Sequence, residues 1–126
     1  MITLELATRL RDAGLTWTPA SGDRFAIPDR DMDGQVFVVS EMTIDTQQLP
    51  TGVLMKFNGT TEWALDSVTL DSALWLPRED QLRELLGDRL LALEAGDGWV
   101  VRTVDGSFRD DDAEIAYARA LLAAIE

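Results

Sequence analysis

The chain has 126 residues, 11 basic against 23 acidic side chains, a formal net charge of −12, and neither histidine nor cysteine. This composition excludes imidazole general bases, Ser-His-Asp and Cys-His centres, zinc held by thiolate or imidazole, iron–sulfur clusters, thiol redox chemistry and disulfides. It also lacks the basic surface that binds nucleic acid or an anionic membrane, so neither is an expected partner.

The first element is a helix over residues 3–13. Leu6, Leu10 and Ala13 recur at helical spacing with Ala7 beside them, Thr3 is a suitable N-cap, and Gly14 is a suitable stop. The opening residues also carry Glu5, Arg9, Arg11 and Asp12 where a signal peptide needs a continuous apolar core, so a cytoplasmic protein is expected. Strands follow: Arg24 to Ile27, ended by Pro28; Val36 to Val39, an apolar run expected at the centre of a sheet; Met42 to Thr46; and Val53 to Phe57 after the Pro50-Thr51-Gly52 turn. The connections are too short for parallel crossovers, so the pairing is expected to be antiparallel.

Behind the Asn58-Gly59 turn, Thr60 or Thr61 is expected to cap a short helix reaching about Leu70. Ala73 to Leu76 reads as a short extended entry to a helix that Pro77 opens, with Leu82, Leu85 and Leu86 as its apolar face and Gly87 as its end. Leu90 to Glu94 and Trp99 to Thr103 flank Gly96-Asp97-Gly98, a strong hairpin signal, and Asp105-Gly106 is a second turn. Asp110, Asp111 and Asp112 cap a final helix whose apolar positions are Ile115, Ala118, Leu122 and Ile125. The element order predicts a single α+β domain over residues 1–126, with one antiparallel sheet of about five or six strands packed against two or three helices.

Three groups of residues could carry chemistry. Asp29, Asp31 and Asp33, followed by Gly34, match the first half of a calcium loop, in which alternate carboxylates converge on a cation. The second half fails, because Ser40 stands where the bidentate glutamate belongs, and Pro28 and an apolar run flank the loop. No cofactor is therefore expected beyond a weak divalent-cation site, and an acidic turn is the simpler reading. Glu62 and Asp66 stand four residues apart near Trp63 and Trp75, and are the carboxylate pair to consider for a hydrolase or isomerase. The simpler alternative is two solvated acids beside two core tryptophans. Of the four tryptophans, Trp75 and Trp99 lie in apolar runs and are expected in the core. Trp17, in the weakly periodic segment LTWTPASGD, is the candidate anchor for a protein partner, against the alternative of a lid over one end of the core.

No phosphate-binding Gly-Lys-Ser/Thr loop and no Gly-x-Gly-x-x-Gly fingerprint occurs. The segments NGTTEWALDSV and ALWLPREDQLRELLG, with RDAGLTWTPASGDRF and PDRDMDG, are similar to short proteins of high-GC Gram-positive bacteria described as pilus assembly protein CpaE. WLPREDQL also resembles small phage-type proteins. The first resemblance implies a part in a pilus assembly apparatus, and it carries no catalytic residues to this chain. The resulting expectation is a non-enzymatic interaction or accessory module with an unidentified protein partner. The alternatives are a carboxylate-dependent hydrolase or isomerase, and a phage-derived or defence-associated protein.

Overall fold

The computed structural model of the chain describes residues 1–28, 36–39, 44–49, 52–57, 67–69 and 73–126, the three middle segments by backbone alone. Among the described residues the fold is α+β, with three α-helices and antiparallel strands. The strands form three sheets of three, ordered β2-β1-β6, β3-β4-β5 and β7-β8-β9, where one sheet of five or six strands was expected. The chain divides into two compact units, Trp17–Trp75 and Met1–Thr16 with Leu76–Glu126.

The second of these holds α1 (Leu4–Asp12), α2 (Glu79–Leu86), β7 (Leu90–Gly96), β8 (Gly98–Thr103), β9 (Gly106–Asp110) and α3 (Ala113–Ile125). Helix α1 starts as its sequence predicts: the Thr3 hydroxyl accepts the Leu6 N–H at 3.1 Å. Its end is a Schellman turn. Leu15 N–H reaches the Leu10 carbonyl and Gly14 N–H the Arg11 carbonyl, both at 3.0 Å. This turn puts Gly14 at φ +115°, a conformation only glycine takes without strain.

Helix α2 begins two residues later than Pro77 suggested. Arg78 is the N-cap, and its N–H donates to Gln81 Oε1 at 2.9 Å, one half of a capping box. Pro77 therefore precedes the helix and lies buried. Leu82 and Leu86 are buried, while Leu85 is 43% exposed, so the apolar stripe is narrower than three leucines imply. Arg78 also pairs with Asp80 at 3.1 Å, and this hydrogen bond holds the Asp80 carboxyl below its ordinary pKa against the effect of burial.

Helix α3 is covered by β8 and β9, by α2 and by α1. Several sides are thus packed at once, and its buried residues are Ala116, Tyr117, Ala118, Ala120, Leu121 and Leu122. Ile115 and Ile125, expected in the core, are half-buried. Small alanines let four elements approach one helix closely, which a single amphipathic stripe does not describe. The β7–β8 hairpin matches its prediction. A third strand, β9, follows the Asp105-Gly106 turn, which the sequence reading did not extend into a strand.

Asp112 caps α3, its Oδ1 accepting the Glu114 N–H at 2.8 Å. Its Oδ2 meets the Met1 ammonium at 3.0 Å. Burial opposes ionisation of this carboxyl, but the ammonium and the Glu114 and Ile115 N–H groups outweigh it, and the pKa lies below the ordinary 3.8. A depressed folded pKa gives stability that is complete above the unfolded value and is lost as pH falls through the folded one. Asp112→Ala is expected to cost about 1 kcal/mol at neutral pH, the usual value of a cap. The difference from wild type should close as the pH is taken well below 3.8. Urea denaturation at neutral and strongly acid pH checks both statements.

The first unit holds β1 (Arg24–Ala26), β2 (Phe37–Val38), β3 (Ile44–Leu49), β4 (Gly52–Phe57), β5 (Ser67–Thr69) and β6 (Leu74–Trp75). The run from Val36 to Val39 gives β2, which among the described residues is an edge strand and not the expected central one. Ser67–Thr69 pairs with β4, so the end of the helix expected after Asn58-Gly59 is a strand. Lys56 lies in β4, opposite Asp45 on one side and Ser67 on the other. Among the described residues, no helix is long and apolar enough to cross a membrane.

Candidate functional site around Trp17

The β2-β1-β6 sheet sets three aromatic residues in one row. Phe25 of β1 pairs with Phe37 of β2 on one side and Trp75 of β6 on the other. Cross-strand partners share a face, so Phe37, Phe25 and Trp75 project together. The Phe25 and Phe37 ring centroids are 5.5 Å apart.

Trp17 lies against this row. Its ring centroid is 5.4 Å from that of Phe25 and 6.5 Å from that of Trp75, with an interplanar angle of 11° to Trp75. Offset stacking at these separations is attractive beyond the area it buries. Phe25 beneath it is buried, whereas Trp17, Phe37 and Trp75 are half-buried.

A buried carboxylate fixes the indole. Asp23, only 3% exposed, accepts the Trp17 Nε1–H at 2.9 Å and the Ala20 N–H at 3.0 Å, both on Oδ2. The Asp23 N–H returns to the Ala20 carbonyl at 3.1 Å, closing a turn with Gly22 at φ +91°. Asp23 is itself held by the sheet, since its carbonyl accepts the Val39 N–H at 2.8 Å. The loop from Trp17 to Asp23 is thus tied to β1 and β2 by backbone and to Trp17 by side chain. Trp75 Nε1 is a buried donor with no hydrogen-bond partner among the described residues, a group whose desolvation costs about 1–3 kcal/mol.

The structure brings Trp17 and Trp75 together, which their distance in sequence did not announce. Trp75 is half-buried rather than in the core, and Trp99 is 38% exposed, against the expectation that both are core residues. Trp63, the carboxylates Glu62 and Asp66, and the aspartates Asp29, Asp31 and Asp33 lie outside the described residues. Among the described residues, no group of three acids is placed to hold a metal ion. Sequence reasoning missed Asp23: it stands six residues from Trp17 in no known motif, and its burial follows only from the turn.

No family model, no curated protein and no solved structure matches the chain.

Proposed function

We propose that the chain is a non-enzymatic protein-interaction or accessory module, and that Trp17 is an anchor for its partner. The observation that carries this is the half-buried indole held in one orientation by Asp23 and stacked on the Phe25–Trp75 row. An aromatic side chain already fixed in place loses little entropy on binding, which is what marks the residues that dominate interfaces. The composition agrees, since no imidazole or thiol is present to act as base or nucleophile.

The test is capture of partners from the native host by the full-length chain, compared with Trp17→Ala and Trp17→Phe. Trp17→Ala is expected to weaken the captured complex at least about 30-fold, the loss of a hot-spot residue. Trp17→Phe keeps an aromatic ring but loses the bond to Asp23, so its loss should be smaller than that of Trp17→Ala. Equal capture by all three would remove Trp17 from the interface. Pilus components in the captured set would support the resemblance to pilus assembly proteins, and phage or defence proteins would support the other.

A further inference from the structure

Apart from the aromatic row, the β7-β8-β9 sheet carries a second feature with no role in the fold. β7 is an edge strand of seven residues, Leu90–Gly96, paired with β8 on one side and, among the described residues, with no strand on the other. The opposite edge is managed differently: β9 carries Arg109, and the Arg119 guanidinium donates to the Arg109 carbonyl. Proteins usually blunt free edges with charge, proline or bulges. β7 has no lysine and no proline, and its irregularity lies at one end, between Leu90 and Ala92.

Apart from Glu94, the side chains at this edge are apolar. Leu93 pairs with Val101 and Ala95 with Trp99, on the face where Val101 pairs with Phe108. Helix α3 covers this face over β8 and β9, where Val101 is fully buried. Toward β7 the same face is open: Leu93 is 37% and Trp99 38% exposed. Leu91, the extra residue where the register shifts between Leu90 and Ala92, is 65% exposed.

We infer that a second copy of this chain pairs antiparallel along β7, joining two three-stranded sheets into one about a two-fold axis at Leu93. Charge selects this occupant. The one charged residue of β7, Glu94, is already matched by Arg102 of β8 at 2.6 Å. A basic peptide therefore finds no spare carboxylate on the strand, whereas an apolar, locally neutral edge is complementary to itself. Charge also selects the register. An axis at Glu94 would set two carboxylates directly opposite, which is destabilising. An axis at Leu93 sets Leu93 against Leu93 of the second copy and Glu94 against Ala92. Arg102, opposite Ala92 in its own sheet, then lies in one row with the second copy's Glu94 across a small alanine. Main-chain hydrogen bonds along the edge supply affinity and the leucine row supplies register.

Sedimentation of the full chain over a range of concentration and salt tests this. A monomer–dimer equilibrium is expected, strengthening as salt screens the repulsion between two chains of charge −12. Leu93→Lys, on an exposed edge position, should weaken it at least about tenfold without loss of the fold. The absence of native cysteine allows a second measurement. Leu93→Cys should crosslink to its copy on oxidation, because the two positions face each other, and Ala92→Cys should not, because it lies diagonal to its copy and beyond disulfide reach. A monomer at every concentration and salt, a dimer indifferent to Leu93→Lys, or equal crosslinking from both cysteine variants would overturn the proposal. So would a monomer that instead binds a basic peptide along β7.

Discussion

Replacing Asp23 with alanine should destabilise the β2-β1-β6 region by about 1–3 kcal/mol, the net worth of two hydrogen bonds to a buried acceptor. Two donors converge on one oxygen, the Trp17 indole and the Ala20 N–H. Asp23→Asn keeps an acceptor of the same shape and should cost less, because only the charge-assisted part of each bond is lost. A double-mutant cycle with Trp17→Phe isolates the link. Phenylalanine keeps the stack but has no N–H, so the two substitutions should be non-additive by about 1 kcal/mol. Strict additivity would show that Asp23 does not hold the indole. The near-ultraviolet circular dichroism should change in both single variants, because the geometry between Trp17 and Trp75 depends on this bond. The same variants bear on function: if pre-organisation of Trp17 matters for binding, Asp23→Ala, which frees the indole, weakens capture of the partner more than Asp23→Asn does, without removing any contacting ring.

The elements whose residues interact locally were legible in the sequence, and those fixed by distant pairing were not. Thr3 and Asp112 cap helices through donors two or three residues away, and Gly96-Asp97-Gly98 closes a hairpin between adjacent strands. Such signals are complete within a few residues. The apolar run Val36–Val39 looked central, yet β2 is an edge strand, because strand order depends on β6 arriving on the other side of β1 from far along the chain. The same non-locality hid the aromatic row. Phe37, Phe25 and Trp75 are neighbours only through strand register, and Trp17 joins them only through the turn that buries Asp23. Trp17 could be singled out because its segment has weak periodicity, but nothing nearby in sequence identified what would hold it. The exposure of Trp99 has a related cause. The hairpin places it near the strand end, and α3 covers the sheet over β8 and β9 without fully enclosing the indole.

Leu82→Ala should be the costliest conservative change among these variants, at about 2–5 kcal/mol. Leu82 is wholly buried, on the helix that packs against α3. Alanine would leave a void that the facing helix α3 cannot easily fill, because its buried residues are already small or closely packed. Leu85→Ala is the internal control. The two leucines are three residues apart on one helix, but Leu85 is 43% exposed, so its removal should stay within about 0.5 kcal/mol. Helix propensity differs little between leucine and alanine, so it cannot produce the contrast. Chemical denaturation of the two variants against wild type checks it, and an unchanged denaturant slope would show that the native state was destabilised without altering the surface exposed on unfolding. Comparable losses from both positions would mean that α2 buries a broader face than Leu82 and Leu86. The three-leucine stripe expected from the sequence would then describe the helix better than the narrower one seen here.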